Sequence, residues 1–145
     1  MTKLVLMLAL GAAPLTFDRL PEPVKAAVHK ALPAATVISV EREQSKDKLV
    51  FEVKLKQAGQ VIELSLSADG TLVSEERVVK LADAPAYVRK AISEALPATA
   101  KIEQVEQVTE GGVTTFEVTA RKADATRVEL TIQSDGGTRS EPATE

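Results

Sequence analysis

Chemistry in a protein of 145 residues needs groups with matched roles held close together, and the inventory here is short. His29 is the single histidine, and there is no cysteine. Thiol nucleophiles, disulfides and Cys-based zinc sites are therefore excluded, and a lone histidine without a second nitrogen or sulfur ligand does not make a zinc site. His29 falls on the helix face opposite Val24, Val28 and Leu32, where a solvent-exposed residue is expected rather than a catalytic base. Two glutamate pairs, Glu52 with Glu63 and Glu117 with Glu129, could be brought together on adjacent strands, as paired acid–base carboxylates are. Nothing in the sequence around them supplies the burial that would shift a carboxyl pKa. Lys48, Lys54 and Lys56 stand close by as cross-strand charge partners. Asp69-Gly70 and Asp135-Gly136 lack the longer acidic loop of a calcium site and read as turns. No Gly-rich phosphate loop or Gly-x-Ser-x-Gly elbow is present. The residues point away from an enzyme, and no cofactor or metal is expected.

The elements that position these groups are written twice. Leu32-Pro33 aligns with Leu96-Pro97, Phe51-Glu52-Val53 with Phe116-Glu117-Val118, and Asp69-Gly70 with Asp135-Gly136. The offset grows from 64 to 65 to 66 residues, one step at each expected loop. A tandem duplication is expected over residues 20–79 and 81–139. Each copy opens on a helix, because Val24, Ala27, Val28, Ala31 and Leu32 recur at three-to-four spacing, as do Val88, Ala91, Ile92, Ala95 and Leu96. Asp83 is the expected N-cap of the second helix. Pro33 and Pro97 stop the helices.

Strands follow by alternation. Phe51, Val53 and Leu55 share one face, opposite Val50, Glu52 and Lys54; Ile62, Leu64 and Leu66 share another, opposite Val61, Glu63 and Ser65. The second copy places Thr115, Glu117, Thr119, Glu129 and Thr131 on the outward side. Gly111-Gly112 and the two Asp-Gly steps suit hairpins. The expected class is α+β: a helix and about four antiparallel strands, repeated in tandem, with helices on one face of the sheet. Residues 140–145 are expected to be a flexible tail.

Composition bounds the setting. Net charge is −3 with no basic cluster, which argues against nucleic acid. Residues 1–13 start with Lys3, run apolar from Leu4 to Leu10 and end in small residues, the layout of a secretory signal peptide. Ala9-Leu10-Gly11 offers the cleavage site. The alternative is a cytoplasmic chain whose first strand is apolar. The run is too short to span a bilayer, so no stable membrane insertion is expected after signal removal. An exported location, periplasmic or secreted, is expected.

The ordered set Val-x-x-Ala-[Val/Ile], Leu-Pro-Ala, [Val/Ile]-x-x-Val-Glu, Phe-Glu-Val and Asp-Gly resembles the PepSY and PepSY-like domains, the latter described as similar to beta-lactamase inhibitor proteins. The resemblance covers almost all of residues 20–139, in two copies. It implies an exported, non-catalytic module that binds or restrains a protein partner, a peptidase or another envelope protein, and it supplies no catalytic residue to carry over. The candidate binding surface is the outward sheet face: Val50, Glu52, Lys54, Val61, Glu63, Thr115, Glu117, Thr119, Glu129 and Thr131. A small-ligand carrier or sensor is the alternative, and a small hydrolase comes third.

Overall fold

Prolines set both helix starts. In the computed structural model, which describes residues 14–45 and 47–143, Pro21 and Pro85 are the N-cap residues of helices α1 (Glu22–Ala31) and α2 (Ala86–Ala95). A proline there loses no helical hydrogen bond. Asp83 is not the cap expected from its type. It closes a 3-10 turn, Leu81–Asp83, that matches another at Phe17–Arg19 before α1. The signal peptide expected over residues 1–13 lies outside the described residues.

Eight strands follow chain order: β1 (Thr36–Ser45), β2 (Lys48–Gln57), β3 (Gln60–Ser67), β4 (Leu72–Val78), β5 (Lys101–Glu110), β6 (Val113–Arg121), β7 (Arg127–Ile132) and β8 (Thr138–Pro142). The α+β class is as the sequence implies. The chain forms two compact units, and their boundary does not follow the repeat. Among the described residues, the first holds those up to Ala58 with Glu63–Val73; the second holds Gly59–Ile62 and those from Ser74 on. β4 belongs to the first repeat by sequence. Its Ser74–Val78 segment nonetheless pairs antiparallel with Glu110–Glu106 of β5, in the second unit.

Inside the first unit, α1 buries Val24 and Val28, and the strands bury Phe51, Val53, Leu55, Leu64 and Leu66. The 180° alternation of strand side chains puts these apolar residues on one face and the polar ones on the other. The second unit repeats the plan: Val88, Ala91 and Ile92 of α2 join Val105, Phe116, Val118, Ala120, Leu130 and Ile132 in one core. Tyr87 packs against it, edge-on to Phe116 with ring centroids 6.2 Å apart.

The two units differ where helix meets turn. Gly70 has φ +85°, and a Cβ built there would lie 2.5 Å from the Pro23 carbonyl oxygen. Its counterpart Gly136 has φ +82° and no neighbour within 4 Å of such a Cβ. Pro23 itself corresponds to Tyr87. The Asp69 carboxylate accepts hydrogen bonds from the Ser67 hydroxyl and the Thr71 amide, which hold its pKa down to about 2. Among the described residues these acidic turns belong to no group placed to hold a metal ion.

Two further elements depart from expectation. The segment after Gly137 pairs with β7, Ser140 opposite Leu130 and Glu141 opposite Glu129, so the tail expected over 140–145 is strand as far as Pro142. Pro142, which has no N–H to donate, sits in the last strand, as edge prolines do. In addition, β1 and β5 carry matched irregularities, between Val37 and Ser39 and between Ile102 and Gln104. The extra residue is Ile38 in one and Glu103 in the other. It lets Val37 and Val40, three apart, both lie opposite inward residues of β2, Leu55 and Val53.

Candidate functional site

Alternation along β2, β3, β6 and β7 fixes the outward residues once the inward ones are buried. All ten candidate residues are half-buried. On the first repeat, Glu52 lies opposite Glu41 of β1, and Lys54 lies opposite Ser39. Lys54 Nζ stands 3.3 Å from the Glu63 carboxylate. That is one of the cross-strand charge partnerships foreseen from the sequence. Val50 lies opposite Glu43.

The second repeat keeps the acids and drops the cation. Glu117 lies between Glu106 of β5 and Thr131 of β7. Thr119, at the position of Lys54, lies between Gln104 and Glu129. Glu117 and Glu129 are therefore diagonal neighbours on one face. Thr115 lies opposite Val108, and on the last strand Arg139 lies opposite Thr131. Burial raises the pKa of the Glu117 carboxyl, and the charges of Glu129, Glu76 and Glu106 add to the shift. The sequence suggested no burial around this group; the structure supplies it.

Removing the Glu117 charge should therefore help the fold at neutral pH. Glu117→Gln is expected to raise the melting temperature by roughly 2 °C at pH 7. A carboxyl whose folded pKa lies above its ordinary value of 4.5 penalises folding once ionised. The penalty fades as pH falls through the raised pKa, and the gap between the proteins should close as pH drops below 4.5. Thermal melts at a series of pH values check this; a gap that widens in acid would contradict it.

Sequence reasoning missed one feature of this face. Glu103, the bulged residue of β5, accepts from Arg121 Nε at 2.7 Å and Arg127 Nε at 2.8 Å. Both guanidinium groups hold its carboxyl below the ordinary range. The first repeat has Ile38, Lys56 and Val61 at these three positions, and Ile38 is 51% exposed. His29 is exposed, as expected, and stacks edge-on against Phe17 at 5.4 Å. Among the described residues no helix is long and apolar enough to cross a membrane.

Known proteins with this fold and sequence pattern place the chain. Over 84% of its length it superposes on a DUF2874 family protein from Bacteroides uniformis, at TM-score 0.71 and 16% identity, covering 88% of that chain. A BLIP-like protein from Bacteroides fragilis matches at TM-score 0.70 and 19% identity over 93% of this chain and 91% of its own. A protein from Bacteroides eggerthii described as periplasmic matches at TM-score 0.72 and 16% identity, over 85% of this chain and 88% of its own. These likenesses show a shared fold. No curated protein matches the sequence. The family model described as "Putative beta-lactamase-inhibitor-like, PepSY-like" matches residues 9–74 and again 73–139. The chain belongs to the PepSY-like family and carries two copies of its domain in tandem.

Proposed function

We propose that this protein is a non-catalytic, exported binding module of the bacterial cell envelope that holds a protein partner against the outward face of its strands. The observation that carries this reading is the asymmetry of the second unit. One sheet face is sealed by α2, and the other presents Thr115, Glu117, Thr119, Glu129 and Thr131 half-buried in a polar array. The threonines among them are short and lose little freedom on contact, which favours recognition of another protein. In the first repeat the equivalent positions are Val50, Glu52, Lys54, Val61 and Glu63. The fold shared with a BLIP-like protein and with one described as periplasmic agrees with the binding role and the compartment. A peptidase is the partner class to which the family points.

Affinity capture from envelope and secreted fractions of the native host, read by mass spectrometry, should recover one reproducible partner. Charge reversal at Glu52 and Glu117 should reduce its recovery about tenfold. Recovery unchanged by both reversals would remove this face from the proposal. Sequencing the N-terminus of the protein recovered from those fractions should show residues 1–13 removed in whole or part. An intact Met1 would contradict export through a cleaved signal.

A further inference from the structure

The two repeats provide an internal comparison of one surface with and without its own cation. On the first, Lys54 lies within ion-pair distance of Glu63 and shares a face with Glu52. On the second, Glu129 and Glu117 keep those positions, while the lysine is replaced by Thr119. The arginines around this second site are held elsewhere. Arg121 and Arg127 bond Glu103, and Arg139 Nη2 lies 3.2 Å from Glu141. A lysine stem is much longer than a threonine side chain, so Thr119 fills less of this face than Lys54 does, beside two carboxylates that are half-buried. Glu117 lies directly opposite Glu106 and diagonal to Glu129, and like charges so placed on neighbouring strands cost stability. An incoming cation relieves that cost on binding.

We propose that the outward face of β6 and β7 receives a basic segment of a protein partner, with a lysine or arginine side chain seated over Thr119 between Glu117 and Glu129. The inference rests on the reading that this face binds a protein, and goes beyond it by fixing the partner's charge and the seat. Charge complementarity selects the occupant: an acidic segment is repelled here, and an apolar one leaves two carboxylates desolvated without a partner. Only the second repeat is open to it, because the first supplies its own lysine.

Titration of the isotope-labelled full chain with a capped pentalysine peptide at low salt, followed by amide NMR, tests the seat. The expected result is a saturable shift of amides around Glu117, Thr119 and Glu129. Thr119→Lys should weaken binding about tenfold by filling the seat from within. Ala123→Lys, which adds the same charge in the turn between β6 and β7, should change affinity less than twofold. Shifts spread over the acidic surface, or equal losses in Thr119→Lys and Ala123→Lys, would overturn the proposal. The captured envelope partner separates the two levels. Loss with Glu117→Lys but retention with Thr119→Lys overturns the basic-segment inference and leaves the binding face standing. Retention with both removes the face itself.

Discussion

Gly70→Ala should cost about 3–5 kcal/mol, against about 1–2 kcal/mol for Gly136→Ala. Both glycines follow an aspartate in a tight turn with φ near +80°, so both alanines pay for a left-handed backbone. Only Gly70 adds a steric term. Its new Cβ would sit 2.5 Å from the carbonyl oxygen and 2.8 Å from the carbonyl carbon of Pro23, and backbone atoms cannot swing aside as a side-chain tip can. The turn or the first turn of α1 must shift, and Val24 next to Pro23 is fully buried. The melting temperature should fall by roughly 10 °C or more for Gly70→Ala and by a few degrees for Gly136→Ala. Circular dichroism melts decide it. Equal losses would mean that the close approach of helix and turn carries no energy.

The second large effect concerns a single inward position in the two cores. Leu55 is 1% exposed in the first repeat, and its counterpart Ala120 is fully buried in the second. Leu55→Ala should destabilise by about 2–5 kcal/mol, through lost transfer energy and an unfilled cavity. Ala120→Leu should also destabilise, by about 1–3 kcal/mol, because that space is already taken. The second core carries Ile92 where the first has Val28, and it adds the Tyr87 ring against Phe116. Urea denaturation should show lower midpoints for both variants. If Ala120→Leu were stabilising, the second core would have to contain a void, and its account as a repacked copy would fail.

Much of this was legible in the chain because it depends on local rules. Proline positions, three-to-four spacing and strict alternation give the helices, the strands and the inward set, and the Asp-Gly steps give the turns. Helix-to-turn contact at Pro23 and Gly70 was not legible, since it joins positions 47 residues apart through backbone rather than through residue type. The Glu103 bridge to Arg121 and Arg127 spans 18 and 24 residues and depends on a bulge that leaves the hydrophobic pattern intact. The strand at Thr138–Pro142 has no apolar alternation to announce it. Its pairing with β7 alone makes it a strand. The ten outward candidates were placed on the intended face by alternation. What the sequence did not reveal was the half-burial of Glu117, which comes from neighbours on two other strands.

The matched bulges have a consequence for how the two copies could diverge. Ile38 and Glu103 lack a partner in the strand register, and the core residues on either side keep their places whatever stands there. Such a position is read by the solvent and not by the fold. A duplicated gene can rewrite it in one copy without disturbing the core. One copy has come to display an exposed isoleucine there, the other an acid clamped by two arginines. The bulge acts as a variable slot in an otherwise fixed frame, through which two copies of one architecture acquire separate surface identities.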